Sequence, residues 1–242
     1  MHALLQRTIR AIYPPQCLAC DAMTTAEHGL CASCWSRTAF ISGAICDTCG
    51  TPLMGDDQNE ILQCDDCMQI ARPWDRGRAV FLYKDVGRQL VLALKHGDRL
   101  NLCWPAAGWM ANRVRDVIDP EVLIVPVPLH WSRLVKRKYN QAALLAQDMG
   151  RHLGATVLVD GLVRTHRTPS LDGRSRDSRF ETLSDVIEPQ AQRGQLMAGR
   201  SVLLVDDVMT SGATLAACTE AAKAAGAKEV FTVTLARVVK DT

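Results

Sequence analysis

The fourteen residues from Val202 to Leu215, VLLVDDVMTSGATL, constrain this chain more than any other stretch. Val202, Leu203, Leu204 and Val205 make an apolar run too short for a buried helix and rich in branched side chains. Such a run predicts a strand covered on both faces, as in a parallel sheet. Asp206 and Asp207 fall where that strand is expected to end. Thr210, Ser211, Gly212, Ala213 and Thr214 are small enough to turn the backbone tightly, and Leu215 to Ala225 follows as an alanine-rich helix stopped by Gly226.

That order has a chemical consequence. Ligands of open α/β sheets sit beyond the carboxyl ends of the strands. The free N–H groups of a tight loop and a new helix N-terminus make a cradle for an anion. Bulky side chains would hold the anion away, whereas Ser211, Gly212 and Ala213 admit it, and Thr210, Ser211 and Thr214 add hydroxyl donors. Two carboxylates beside an anion site make sense if they accept hydrogen bonds from sugar hydroxyls or hold water around Mg²⁺. The pattern suits a sugar phosphate with a free diol.

Eight of the ten cysteines lie in four CxxC pairs before residue 70: Cys17/Cys20, Cys31/Cys34, Cys46/Cys49 and Cys64/Cys67. Repeated CxxC pairs without a secretion signal favour zinc over disulfides. Two such turns complete a closed Cys₄ site, so eight thiolates predict two structural zinc ions. Consecutive pairing is the expected arrangement, with an interleaved one also compatible. Four thiolates leave no open position for catalysis, and the metal is expected to supply most of the folding free energy of so short a segment. Gly50, after the third pair, suits a positive φ.

Residues 1–72 carry four arginines and no lysine against eight acids, a net of −4, which leaves +6 for the remainder. An acidic, aromatic-poor ribbon, with Trp35 and Phe40 as its clear aromatic candidates, fits a scaffolding or protein-contacting role better than nucleic-acid binding. No apolar run approaches a membrane span. Leu4, Leu5, Ile9 and Ile12 have helical spacing but no signal-peptide core. The expectation is a cytoplasmic protein without membrane insertion. Pro73, within ARPW, suggests a join, dividing the chain into residues 1–72 and 73–242.

In the second part, strands are expected at Arg78–Tyr83, Val122–Val127, Thr156–Val159 and Glu229–Leu235, with another beginning at Val186-Ile187. Helices are expected at Val86–Lys95, Trp104–Val117 and Asn140–Leu153. Cys103 and Cys218 read as core residues. Arg133, Lys136, Arg137 and Lys138 follow the second strand in what reads as a turn; beside a strand end they suit a second anion, with Arg137 and Lys138 the expected pyrophosphate contacts. Leu162 to Arg179 is polar, holds five arginines against two aspartates, and reads as a lid.

The stretch Val202–Leu215 resembles the phosphoribosyl pyrophosphate motif of type I phosphoribosyltransferases. Together with the CxxC pairs and VPVPLHWSRLVKRKYNQA, it makes nearly the whole chain similar to the ComF family of competence-associated phosphoribosyltransferase-like proteins. The resemblance implies an α/β fold: a type I phosphoribosyltransferase-like parallel sheet flanked by helices, behind an N-terminal double zinc ribbon. It implies Mg²⁺-bound phosphoribosyl pyrophosphate, or a related nucleotide, as ligand, and single-stranded DNA and DNA-uptake proteins as partners. Asp206 and Asp207 would meet the ribose hydroxyls and Thr210 to Thr214 the 5-phosphate. Arg137, Asn140, Gln141 and Ala142 match a family signature in which Lys138 and Tyr139 replace Gly and Phe. Lys95 matches a family lysine, and Arg179 an arginine behind the lid opened by Thr168 and Pro169. Leu171 stands where the family commonly has glutamine, and Thr182 near a family asparagine, departures that bear on the acceptor. No general base is named.

Overall fold

The structure is a computed structural model that describes residues 14–25, 27–55, 61–96, 99–165 and 186–239. Its frame is a five-stranded, all-parallel sheet. β1 (Arg76–Leu82), β2 (Leu123–Pro126), β3 (Thr156–Val157), β6 (Ser201–Met209) and β7 (Glu229–Arg237) lie in the order β1-β7-β6-β2-β3. Val202 to Val205 are fully buried at its centre, as a strand covered on both faces requires.

Alternation along the strands divides the core. Leu203, Val205, Phe231, Val233 and Leu235 face α3 (Asp85–His96), α4 (Cys103–Val114) and α6 (Gln141–Leu153). Val202, Leu204, Leu123 and Val125 pack with α7 (Ala213–Ala224) and with a small antiparallel ladder of β4 (Leu162–Arg164) and β5 (Ile187–Pro189). Cys103 and Cys218 are core residues of α4 and α7, as expected. Among the described residues no helix is long and apolar enough to cross a membrane.

After β2 the chain turns outward to β3; after β6 it turns the other way, to β7. The crevice between the carboxyl ends of β2 and β6 is therefore a topological switch point, where open sheets bind ligands.

Several sequence expectations near the site need correction. β6 does not stop at the acids. It runs through Asp206 and Asp207 to Met209, because β7 reaches Arg237 and offers ladder partners at Val208↔Ala236 and Met209↔Arg237. The helix after the loop begins at Ala213, not Leu215. The cationic stretch after β2 is not a turn but a helix, α5 (Trp131–Arg137), whose entry is capped by His130 Nδ1 accepting from the Ser132 amide at 3.2 Å. The expected lid is described only at its base, β4 and β5; residues 166–185, and with them Thr168, Pro169, Leu171, Arg179 and Thr182, lie outside the described residues.

The cysteine pairs stand on opposite faces of this sheet. Cys17 and Cys34 pack with the core under α3 and α4, and Gln89 of α3 donates to the Ala19 carbonyl at 2.7 Å. Cys46, Cys49 and Cys67 pack with the core under α7. Two short helices, α1 (Ala32–Ser36) and α2 (Asp65–Gln69), carry the second pair of each set. Gly50 adopts φ +68° against β1; a Cβ there would lie 2.8 Å from the Ala79 nitrogen, so the close approach requires glycine.

Candidate anion site and zinc centres

The loop after β6 lines a small open pocket with Asp206, Thr210, Ser211, Gly212, Ala213 and Thr214. Gly212 and Ala213 are buried, whereas Thr210, Ser211 and Thr214 reach solvent. Gly212 sits at the N-cap of α7 with φ +83°, a left-handed value glycine adopts at least cost. Ser211 Oγ accepts from the Ala213 amide at 3.4 Å.

The acids differ in their surroundings. Asp207 is buried and paired with Lys95 at the end of α3, Nζ to Oδ1 3.1 Å. Asp206 is half-buried, and its Oδ1 accepts from the Asp207 amide at 2.8 Å. Burial first, then the charge of Asp207, pushes its carboxyl up to about 7. Asp207 is thus ion-paired, and Asp206 is the acid that lines the pocket.

The site's far rim is built from α5 and α6. Tyr139 donates its hydroxyl to the Leu94 carbonyl at 3.1 Å, and Asn140 caps α6 through the Ala142 amide at 3.0 Å. The Tyr139 contact, with Gln141 Nε2 reaching the Lys95 carbonyl at 3.5 Å, docks this segment on the end of α3. Arg137 reaches Gln141 Oε1 at 3.5 Å. Lys138 is exposed at the C-cap of α5 with φ +67°, which explains physically why a glycine suits this position in the family pattern. Arg133 lies within α5. Thr210 to Thr214 and Asp206 thus line one pocket, whereas Arg137 and Lys138 lie on the segment that meets the end of α3, whose Lys95 pairs with Asp207.

Arg237 was missed by sequence reading, which ended the last strand at Leu235. It is only 4% exposed, and its Nη1 donates to the carbonyls of Met209 at 3.2 Å and Thr210 at 2.6 Å. An arginine two residues past an apolar strand was the available signal.

Cys17, Cys20, Cys31 and Cys34 form one tetrad and Cys46, Cys49, Cys64 and Cys67 the other, with the four sulfurs of each within 4.8 Å of one another. Pairing is consecutive. Zinc–sulfur bonds of about 2.3 Å in a tetrahedron require sulfurs about 3.8 Å apart. Cys20–Cys31 at 3.7 Å and Cys49–Cys64 at 3.6 Å meet that requirement and are far too long for disulfides. Within each set, hydrogen bonds from neighbouring groups favour the charged form of one thiol. Burial works against Cys17, but amide donors led by Cys31 bring it down to about 6. Hydrogen bonds from Cys46 and Cys67, then Thr51 and the charge of Arg237, hold Cys49 far below the usual thiol value. The donor sets fit structural zinc.

Comparison with known proteins agrees with this anatomy. The double zinc ribbon domain family matches residues 8–68, and the phosphoribosyl transferase domain family matches residues 140–242. The chain is therefore a double zinc ribbon joined to a phosphoribosyltransferase-like domain. At the level of whole chains it is similar to Competence protein F of Haemophilus influenzae, 28% identical over 92% of this chain and 96% of that protein. DNA utilization protein YhgH of Escherichia coli K12 is 28% identical over 84% of this chain and 88% of its own. Competence protein ComFC of Bacillus subtilis is 26% identical over 82% and 85%. The ComF resemblance carried by the motifs thus holds over most of the chain. Among solved structures, a hypoxanthine phosphoribosyltransferase from Staphylococcus aureus aligns at 16% identity over 59% of this chain and 68% of that one, with a TM-score of 0.33.

Proposed function

We propose that this protein binds Mg²⁺–phosphoribosyl pyrophosphate in the crevice between β2 and β6 and acts in the handling of DNA during uptake. One observation carries the ligand reading: an acid pair and a small-residue loop at a helix N-terminus meet at the switch point of a parallel sheet. The loop amides and the hydroxyls of Thr210, Ser211 and Thr214 would take the 5-phosphate. Asp206 would accept from a ribose hydroxyl, with Asp207 held in place by Lys95. Mg²⁺, when bound, neutralises charge on the pyrophosphate. Arg137 and Lys138 would face that pyrophosphate from the rim.

If a transfer follows, the bond from C1 to pyrophosphate oxygen breaks and a nucleophile of the acceptor bonds to C1. The chain's own contribution would be positioning and charge stabilisation. The names of the relatives support a link to competence and DNA utilization; action in uptake, on the cytoplasmic side, is part of this proposal.

Calorimetric titration of the zinc-loaded protein with phosphoribosyl pyrophosphate and Mg²⁺ tests the reading. Saturable binding that disappears in an Asp206→Asn/Asp207→Asn variant is expected. A folded, zinc-loaded protein that takes up no ligand would sink it.

A second reading, binding of single-stranded DNA, has its own support. Trp131 and Val135 are 70% and 73% exposed on α5, the helix that ends in Arg137 and Lys138. An exposed ring beside cations suits base stacking with phosphate contact. Tyr139 adds less, since its hydroxyl is engaged with Leu94. A Trp131→Ala variant with unchanged affinity for a DNA oligonucleotide would remove this reading.

A further inference from the structure

Behind the anion loop stand three residues that neither the sugar phosphate nor the zinc ions would touch. From one side, Arg237 Nη1 donates to the carbonyls of Met209 and Thr210. From the other, Arg72 Nη1 donates to the carbonyl of Ser211 at 2.7 Å. Three successive carbonyls are thus held by guanidinium groups. In a trans peptide the N–H points opposite to the C=O of the same unit. Tying the carbonyls of 209, 210 and 211 therefore fixes the direction of the amides of Thr210, Ser211 and Gly212. An anion cradle needs this orientation, because a flipped peptide would present a carbonyl oxygen to the phosphate.

The brace continues to the second zinc centre. Trp74 is 3% exposed, and the Arg72 guanidinium lies 5.5 Å from its ring centroid. A Cβ on Gly212 would meet the Trp74 ring at 3.0 Å and Arg72 at 3.1 Å, so the loop rests directly on this pair. Trp74 Nε1 in turn donates at 2.6 Å to the carbonyl of Thr48, which lies between the ligands Cys46 and Cys49. The first tetrad packs with the core on the opposite face, against α3.

We propose that Arg72, Trp74 and Arg237 are positioning residues that set the peptide planes of the anion loop, and that through Trp74 and Thr48 they make ligand affinity depend on the second zinc centre and not on the first. The ligand half of this statement rests on the donor-site reading above; the brace itself does not.

The test uses the full-length, zinc-loaded chain and two readouts: hydrogen exchange of the amides of residues 210–212, and affinity for phosphoribosyl pyrophosphate with Mg²⁺. Arg72→Met, which loses one charge-assisted contact, and Cys64→Ser, which loosens the Thr48 turn under Trp74, are each expected to speed exchange of those amides about fivefold or more and to weaken binding about tenfold. Cys20→Ser, which opens the first tetrad, leaves both readouts within about twofold. Trp74→Phe keeps the packing but removes the N–H, so adding Cys64→Ser to it has no further effect on the loop. The Arg72→Met deficit persists from about 0.1 M to about 1 M salt, where long-range attraction is screened out.

Unchanged loop exchange in Arg72→Met overturns the brace, as does an equal response to Cys20→Ser and Cys64→Ser. If Cys64→Ser also loses protection in β6 and β7, Arg72→Met and Trp74→Phe decide the matter. Loosened loop amides in a protein whose wild type takes up no phosphoribosyl pyrophosphate would leave the brace standing and sink the donor site instead.

Discussion

Replacing Asp206 by asparagine is expected to stabilise the protein while it weakens ligand binding. Burial, followed by the charge of Asp207, holds this carboxyl at about 7 in the fold, against 3.8 for an ordinary aspartate. An acid raised in this way adds stability below its unfolded value, and that contribution is lost as the pH climbs from 3.8 to about 7. At about 1.4 kcal/mol per tenfold step, the ceiling is about 4 kcal/mol. The carboxylate is only half-buried, and solvent screening brings the expectation to about 2 kcal/mol. The asparagine side chain would keep the oxygen that accepts from the Asp207 amide and drop the charge. Urea unfolding with zinc present should therefore show a gain of about 1 kcal/mol near pH 5.5 that grows to about 2 kcal/mol near pH 8, at constant slope. A gain that is flat or shrinks with pH would refute the reasoning, and so would a loss near pH 8. The same variant should bind phosphoribosyl pyrophosphate more weakly, the usual exchange of stability for function.

Lys95→Met leaves the buried Asp207 without its cation and should cost about 2 kcal/mol in chemical denaturation, largely recovered by adding Asp207→Asn. Lys138→Gly removes a left-handed side chain at the end of α5 and should raise stability by about 0.5 kcal/mol, read as a shift in thermal midpoint. Native mass spectrometry should count two zinc ions per chain. Cys31→Ser and Cys64→Ser should each lose one, and loss of both ions from either variant would contradict independent tetrads.

Much of this molecule was legible in local patterns. The apolar run at Val202–Val205 announced a doubly covered strand, since only a short, buried parallel strand tolerates such continuity. Cysteine spacing announced two metal tetrads, because a CxxC turn places two thiolates on one ion with little help from elsewhere. Helix α5 was misread because four cations outweighed its weak apolar spacing, and its cap came from His130, an uncommon capping residue. The end of β6 was misplaced because strand length depends on how far its neighbour continues. Nothing in Asp206 or Asp207 alone reveals that β7 is still alongside.

The order of residue types along the chain was therefore determined by sequence alone: cysteine pairs first, then a cationic stretch, then an acid pair and a small-residue loop. These depend on residue types within a few positions of one another, where spacing is geometry. Tertiary structure decided what those pieces lean on. Lys95 meets Asp207 more than a hundred residues away, Arg72 holds Ser211, and Trp74 joins Thr48 to Gly212. Such contacts exist only once strand order brings distant segments together. A one-dimensional pattern carries no record of which face of the sheet each will occupy.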